Sequence, residues 1–146
     1  MGLNIKSCSV NDIIPIRHEI LRAGKPVTTC HFKGDDNPKT YHFGAYKEGE
    51  IAGCVSFMPK NHSDCTGQKP YQLRGMAVLE SQQNQSIGLH LLQYAEHDLK
   101  NKGVELIWCN VRVKAIGFYK KQNFETDGKR FLIPEIGEHV LMYKYI

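Results

Sequence analysis

A run of neutral polar residues, Ser81–Ser86, leads directly into an amphipathic helix whose start carries no acid. No Asp or Glu lies between Glu80 and Glu96, although the N–H groups and macrodipole at a helix N-terminus favour negative charge. Free main-chain N–H groups in a strand–loop–helix turn cradle phosphate. An anion bound at this loop would therefore be held by backbone amides and neutral side chains. On the local pattern alone the simpler alternative is favoured, in which Ser81 or Ser86 caps the helix.

The segments on either side of this loop predict a βαβ unit. "YQLRGMAVL" before the loop is strand-like, and the helix ends at Gly103, a good C-terminal stop. "VELIWCNV" after it is a nearly continuous apolar run, typical of a strand covered on both faces. The two strands are expected to be parallel, with a right-handed crossover. The apolar stripe of the helix comprises Ile87, Leu91, Leu92, Ala95 and Leu99.

The rest of the chain predicts further strands and two helices. "LNIKSCS" alternates as a strand, and Asn11 or Asp12 caps a helix with Pro15 in its first turn. A long connection, Ala23–Thr40, precedes a hairpin that turns at Gly49. A polar loop, "KNHSDCTGQKP", leads into the βαβ unit, and "KAIGFYKKQNF" and "FLIPEIGEHVLMYKYI" predict a short helix and one or two closing strands. The expected order is β-α-β-β-β-α-β-α-β-β, a mixed α/β sheet.

Composition excludes several classes of protein. A length of 146 residues suits one domain, and a net charge of +4 without a basic stripe favours an anionic small molecule over nucleic acid. Five cysteines without CxxC spacing argue against a disulfide framework or a zinc site, and Cys54 and Cys109 lie in apolar runs as core residues. No signal segment and no bilayer-spanning run is visible, so a cytoplasmic protein without membrane partners is expected.

Two segments together resemble the GNAT N-acetyltransferase superfamily. Gln83-Asn84-Gln85-Ser86-Ile87-Gly88 resembles its acetyl-CoA-binding motif, Arg/Gln-x-x-Gly-x-Gly/Ala between a strand and a helix. Ala115–Phe124 resembles its Ala-x-x-Phe/Leu-Tyr-x-x-x-Gly-Phe segment, and the ending resembles a subgroup with an Ile-Gly/Pro-x-His-x-x-Met strand. The resemblance implies one acetyltransferase domain over residues 1–146, built on a mostly antiparallel twisted sheet of about six or seven strands with a central parallel βαβ unit and about four helices.

The chain departs from the family pattern at three positions. Ser86 stands where Gly is usual and narrows the room for a pyrophosphate, while Glu80 stands where Pro is common and adds a negative charge. Asn123 stands where Gly is usual, and Asn is the next-best residue for a left-handed turn. We expect weaker or more slowly exchanging cofactor binding, with a dissociation constant not far below micromolar.

The resemblance implies direct acetyl transfer from acetyl-CoA to an amine. The developing oxyanion would be stabilised by a main-chain N–H of Met76, Ala77 or Val78, in a strand that bulges at Gly75 and splays from its parallel neighbour. Asn110 lies where its side chain would help to hold the pantetheine arm. The other implied cofactor-binding residues are Gln83, Asn84, Gln85, Ser86, Ile87, Gly88, Leu89, Phe118 and Tyr119.

Proton transfer needs an acid for the thiolate and a base for the amine. Tyr119, by motif position, is the candidate acid, because a phenol is matched to a thiol leaving group. Its alternative role is a packed aromatic at the helix–sheet boundary, and Phe118 is expected to face the core. Many relatives carry a Glu where this chain has Gln72, so His139 is the candidate base. A strand histidine hydrogen-bonded to the backbone is its alternative; His31, His42 and Glu135 are further candidates.

The acceptor site and its partners are less defined by the sequence. Arg74 is expected either to bind a substrate carboxylate or phosphate or to pair with an acid, and His31 to contact the substrate. The segment "HFKGDDNPKT" would cover the amine site, where Asp35 and Asp36 would attract a cationic amine or form a solvated turn.

Several alternatives remain open at this level. The acceptor is expected to be a small-molecule or peptide amine, and the protein a monomer or a homodimer paired through "HVLMYKYI". The rival functions are a non-catalytic acyl-CoA-binding or sensing module, and a protein-interaction or nucleic-acid module.

Overall fold

The structure is a computed structural model that describes residues 2–65 and 69–146. Its elements follow the predicted order. The strands are β1 (Leu3–Cys8), β2 (Tyr41–Lys47), β3 (Glu50–Pro59), β4 (Pro70–Val78), β5 (Leu106–Arg112), β6 (Arg130–Ile133) and β7 (Gly137–Tyr145). The α-helices are α1 (Val10–Leu21), α2 (Ile87–Asn101) and α3 (Ile116–Lys121). Short 3₁₀ turns take the place of the fourth expected helix, and residues 66–68 of the predicted polar loop lie outside the described residues.

One seven-stranded sheet, in the order β1-β2-β3-β4-β5-β7-β6, organises the molecule. Every pairing is antiparallel except that of β4 with β5, which are joined through α2. The mixed, mostly antiparallel sheet with a central parallel βαβ unit is therefore confirmed.

The helices cover opposite faces of this sheet. Val55 of β3 lies in the core with α2 and α3, whereas its neighbour Cys54 packs with α1. Because successive side chains of a strand point to opposite faces, this alternation defines an α1 face and an α2 face along the whole sheet. The two faces later separate the groups of the site.

Helix α2 matches its sequence pattern closely. All five residues of the predicted stripe are at most 3% exposed. The helix ends as expected: Gly103 has φ +86°, and the Val104 N–H donates to the Leu99 carbonyl at 3.0 Å. The spacing of the apolar residues alone was sufficient to predict α2, because one broad face of the helix is buried against a single sheet.

Helix α1 begins earlier than predicted. Ser9, rather than Asn11 or Asp12, is the N-cap, and Asp12 accepts a hydrogen bond from the Ser9 N–H at 3.0 Å. Asp12 therefore acts from inside the first turn, as in a capping box. Pro15 consequently lies inside the helix rather than in its first turn.

The last strand is not the free edge that the sequence suggested. β7 pairs with β5 along its length and with β6 over Gly137–Val140, and Tyr143 also bridges to Glu125. The edge is instead the short strand β6, whose Leu132 is 69% exposed. Pairing of "HVLMYKYI" across a dimer is therefore excluded for His139 and Val140, which have strand partners on both sides, and stays a prediction for the rest of the strand.

The long connection between α1 and β2 is held by a buried ion pair. Arg17 is fully buried and binds both carboxylate oxygens of Asp35, at 2.7 and 3.1 Å. Its guanidinium also donates to the Cys30 carbonyl and to the Ser56 hydroxyl. Asp35 accepts the Phe32 N–H at 2.6 Å as well. These contacts fix the connection onto the α1 face.

All five cysteines are free thiols, and Cys54 and Cys109 are buried in the core as predicted. Burial raises the pKa of the Cys54 thiol to about 12. Among the helices of the described ranges, none has the length and apolarity required to cross a bilayer.

Candidate functional site

The two parallel strands separate after three rungs. β4 and β5 pair at Pro70 with Leu106, Tyr71 with Ile107, and Gln72 with Trp108. Both strands then continue, β4 to Val78 and β5 to Arg112, without a further rung between them in the part of the chain that the structure describes. A wedge therefore opens between the carboxyl-terminal halves of the strands, as the sequence predicted.

A β-bulge shapes the β4 side of this wedge. Cys54 pairs with Ala77 and Ser56 with Arg74, so Gly75 and Met76 together oppose Val55 alone. Gly75 has φ +67°, a left-handed conformation that glycine adopts without strain. The expected role of Gly75 in a bulge is thereby confirmed.

The main-chain N–H groups of β4 alternate after the bulge. The Leu79 N–H donates to the Ala52 carbonyl on the β3 side at 2.9 Å. Alternation then directs the Val78 N–H towards the wedge and the Ala77 N–H towards β3. Of the predicted oxyanion donors, Ala77 faces β3, whereas Val78 and Met76 lie on the wedge side, and Met76 lines the cleft.

The loop before α2 presents a series of unused amides. Within residues 69–146, the main-chain N–H groups of Asn84 through Leu89 have no hydrogen-bond acceptor, and the first turn of α2 contains no acid. Ser86 is the N-cap with φ +60°, but its hydroxyl makes no capping bond. The simple capping alternative therefore does not describe this helix, and the arrangement suits an anion.

Gln83 differs from its neighbours in this loop. Its main-chain N–H donates to the Glu80 carbonyl at 3.2 Å, and its side-chain amide donates to the Val78 carbonyl at 3.2 Å. The structure thus uses Gln83 to shape the turn, and its main-chain amide does not join the row of free donors.

A cation that the local sequence does not contain lies beside the loop. Lys47, at the end of β2, donates from its ammonium to the Gln85 side-chain oxygen at 2.6 Å. The local sequence of the loop contains neutral donors only, and the fold brings Lys47 to it across a long sequence separation. No local signal could have identified it.

Gly88, in the first turn of α2, leaves room beside the free amides. A Cβ built there would lie 3.6 Å from Phe118 and 3.8 Å from the Met76 sulfur, which are ordinary contacts. Packing within the protein therefore does not require glycine at this position. Phe118 is half-buried over this turn rather than fully in the core.

A cleft of about 480 Å³ passes through the wedge and collects groups from both faces of the sheet. Leu73, Cys109 and Val140 belong to the core on the α2 face. Their neighbours Gln72, Arg74, Asn110 and His139 therefore point to the α1 face, and all four line the cleft. The free amides at the start of α2 therefore lie on the α2 face of the sheet, whereas these four side chains lie on the α1 face.

Tyr119 reaches the cleft from the α2 face. It is 7% exposed and packs edge-on against Phe118 and Phe124, with ring centroids 5.0 and 5.3 Å away. Burial, and then the nearby Cys109 thiol, raise the pKa of its phenol well above the usual range. Tyr119 is therefore a packed aromatic at the helix–sheet boundary whose phenol stays protonated, and its role as the acid stays a prediction.

His139 reaches the cleft from the α1 face. It is 4% exposed, and its Nδ1 lies 2.8 Å from the Gly137 carbonyl. Since a carbonyl only accepts, Nδ1 carries the proton in the neutral ring and Nε2 keeps a lone pair. The backbone contact that was the alternative role of His139 thus fixes the tautomer that a base requires.

Three other candidate bases lie outside the cleft. His31 is exposed and 3.3 Å from Asp36, and Glu135 is exposed in the turn between β6 and β7. His42 has both ring nitrogens engaged, by Ser56 at 2.6 Å and the Asp35 carbonyl at 3.1 Å, and burial lowers its pKa. The structure does not bring these side chains to the site.

The expected acidic attraction for the acceptor is also absent. Asp35 is 4% exposed and bound by Arg17, so it cannot attract an amine from solution. Asp36 is exposed and lies beside His31. The prediction that this pair attracts a cationic acceptor is therefore wrong, because the carboxylate of Asp35 is used to hold the chain itself.

Comparisons with known proteins agree with this geometry. Residues 12–124 match the family model described as "Acetyltransferase (GNAT) family". A protein of Bacillus subtilis (strain 168), described as "Uncharacterized N-acetyltransferase YitI", is 39% identical over 142 residues, covering 97% of this chain and 95% of that protein.

Solved structures share the fold at low sequence identity. The aminoglycoside 6'-N-acetyltransferase complexed with coenzyme A superposes with a TM-score of 0.77 at 14% identity, covering 97% of this chain and 96% of that one. The ribosomal-protein-S18-alanine N-acetyltransferase from Escherichia coli gives 0.78 at 19% identity, covering 99% and 94%.

Proposed function

Because this chain belongs to the GNAT family of acetyltransferases, we propose that it moves an acetyl group from acetyl-CoA to a primary amine by direct attack. The observation that carries the proposal is the wedge between β4 and β5, which opens beside the uncapped N-terminus of α2. The single continuous sheet supports one acetyltransferase domain over residues 1–146.

The residues of the loop fit the cofactor of this family. Acetyl-CoA supplies the acetyl group as a thioester and carries a diphosphate. The amides of Asn84–Leu89 form a row of donors for such an anion, and Lys47 adds a positive charge. Gly88 leaves space for a group close to the backbone, Phe118 lies beside this turn, and Asn110 lines the cleft from the α1 face.

The wedge supplies fixed donors for the reacting carbonyl. A main-chain N–H that already points into the wedge, as that of Val78 does, needs no reorganisation when negative charge develops on the carbonyl oxygen. Loss of one such donor costs about 10²- to 10³-fold in kcat in other enzymes.

Tyr119 and His139 handle protons on opposite faces of the sheet. His139 Nε2 accepts the proton of the amine on the α1 face. The Tyr119 phenol donates to the departing sulfur on the α2 face, and its raised pKa keeps it protonated over the working pH range. The same buried setting disfavours a charged thiolate, so the leaving group also requires a donor.

Gln72 supports the position of His139 as base. It lies at the last rung of the β4–β5 pairing, is 7% exposed and lines the cleft. An amide at this point can orient an acceptor or a water molecule but cannot take up a proton. The basic lone pair in the cleft is therefore that of His139.

A non-catalytic acyl-CoA sensor is the second candidate, and Gln72 is the observation that favours it. Incubation with labelled acetyl-CoA and a panel of primary amines separates the two functions. The proposal predicts labelled amide and stoichiometric release of free thiol. Saturable coenzyme A binding without any labelled product would establish the sensor instead.

We also propose that the protein acts in the cytoplasm, as a monomer or a homodimer. The five free cysteines support a reducing compartment.

A further inference from the structure

Cations line the cleft that the proposed acceptor would enter. Arg22, Arg74 and Lys60 line it, as do Arg112 and Lys114 further along β5 and the turn after it. Among the described residues that line this cleft, none is an Asp or a Glu. A cleft with walls of one sign focuses the field and attracts ligands of the opposite charge.

Two of these cations share one aromatic platform. The guanidinium carbons of Arg74 and Arg22 lie 4.6 and 5.5 Å from the centroid of the Phe32 ring. Stacking on a ring orients the planar guanidinium and leaves its N–H groups directed outward. Phe32 is itself buried and lines the cleft, so the platform and both cations face the same space.

Neither of these arginines has a carboxylate partner. Within residues 2–65 and 69–146, Arg22 donates only to the Leu21 carbonyl, at a long 3.4 Å, and Arg74 forms no ion pair. Burial, and then the charges of Arg17 and Arg22, lower the pKa of Arg74 against an opposing effect of Asp35. Arg22 and Arg74 are both half-buried beside one ring, and an anion bound between such like charges stabilises them.

The anchoring of Phe32 explains why this arrangement persists. The Phe32 N–H is held by Asp35, whose carboxylate is in turn bound by the buried guanidinium of Arg17. Among the described residues, Asp35 is the only buried acid. Arg17 already neutralises it, and it positions the platform instead of pairing with Arg22 or Arg74.

We propose that the acceptor is a small amine that also carries an oxyanion, a carboxylate or a phosphate, bound by Arg22 and Arg74 across Phe32. This inference rests on the proposed acetyl transfer and names its substrate class. Arg74 immediately precedes the Gly75 bulge, so an oxyanion bound there leaves the amine of the same small molecule beside the wedge. A diamine or another polycation would be repelled by the positive charges of these arginines.

Matched acceptor pairs test the charge requirement. Amino acids are compared with their primary amides, aminoalkyl phosphates with the corresponding amino alcohols, and α,ω-diamines are included as the cationic class. The oxyanion-bearing member of a pair is expected to have a kcat/KM about 10- to 100-fold higher, as for hydrogen bonds between charged groups. The preference between carboxylate and phosphate identifies the source of the oxyanion.

Arginine variants test the assignment to these two side chains. Arg74→Gln and Arg22→Gln are expected to raise KM for the anionic acceptor about 10-fold or more and to leave KM for acetyl-CoA unchanged. Arg130→Gln, on the exposed strand β6, is the matched control. Calorimetric titration of coenzyme A-loaded protein with N-acetyl amino acids gives a binding readout independent of turnover, and the two variants should weaken it.

The outcomes separate this inference from the proposed function. Equal or better acetylation of diamines or neutral amines, with unchanged KM in both arginine variants, would overturn the inference and leave acetyl transfer intact. Absence of any acetylated amine across the whole panel would overturn the acetyl transfer, and the substrate class with it.

Discussion

At the scale of single residues, the sheet places the proposed acid and the proposed base on opposite faces of the cleft. Tyr119 enters the cleft with α3 on one face, and His139 enters from β7 on the other. Both were predicted from family-like segments near the end of the chain. Lys47 and Arg22 were not predicted, because only the folded sheet brings them to the loop and to the cleft.

Replacement of Tyr119 by Phe tests the proposed acid. Tyr119→Phe is expected to lower kcat about 10²-fold, within the range for general acid catalysis, with KM for acetyl-CoA little changed. Because burial raises the phenol's pKa, the wild-type enzyme should show no alkaline loss of kcat from Tyr119 below about pH 10. Steady-state kinetics across pH measure both effects.

The matched control for that variant is Tyr94→Phe, on the exposed side of α2. It removes the same hydroxyl far from the cleft and should be kinetically silent. Equal kcat in wild type and Tyr119→Phe would remove the phenol from the mechanism.

Replacement of His139 by Ala tests the proposed base. His139→Ala should lower kcat/KM about 10²-fold, because the Nε2 lone pair is lost. Steady-state kinetics measure this loss, and His97→Ala on the exposed surface of α2 is the control. An unchanged kcat/KM would show that another group, or water, accepts the proton.

At the scale of elements, the N-terminus of α2 leaves its main-chain N–H groups free for a ligand, because no side chain of the helix start caps them. Its stripe, its length and its end followed from the sequence, because they depend on local spacing. The left-handed conformation at Ser86 and the six unused amides depend on the path of the chain from the end of β4 into α2. The spacing of apolar residues does not encode that path.

Introducing an acid at this N-terminus separates helix stability from ligand binding. Ser86→Asp should leave the free energy of unfolding unchanged or raise it by up to about 1 kcal/mol, since acids are favoured there. The same charge should raise the dissociation constant of coenzyme A about 10-fold or more by repelling its phosphates. Denaturation and calorimetry measure the two quantities.

The control for that charge is Gln93→Glu, on the exposed face of α2 away from its start. Coenzyme A should bind this variant as it binds the wild type. Tighter coenzyme A binding by Ser86→Asp would contradict a phosphate site at these amides.

The connection between α1 and β2 depends on the Arg17–Asp35 pair. Asp35→Ala leaves a fully buried guanidinium uncompensated, which is expected to cost about 3–5 kcal/mol of stability. Asp36→Ala, one residue away but exposed, should cost about 0–1 kcal/mol. Urea unfolding measures both, and equal costs would show that the buried pair does not hold the connection.

At the scale of the whole molecule, the order of elements and the mixed sheet followed from the sequence. Alternating and continuous apolar runs differ visibly along β2, β3 and β5, and the βαβ unit constrains its own handedness. The role of Asp35 and the position of β7 did not follow. Both depend on long-range partners that no local pattern reveals, because Arg17 is brought to Asp35 by the fold and β7 pairs with β5 across α3.

The proposed acetyl transfer depends on main-chain amides that bind the phosphates of coenzyme A beside an open wedge. A backbone-amide NMR titration of the nitrogen-labelled protein with coenzyme A tests this most directly. The largest shifts are predicted for Asn84–Leu89 and for Val78, with little change at Gln83, whose N–H already donates to Glu80. Saturation of binding with these resonances unmoved, and the shifts located elsewhere, would contradict the account.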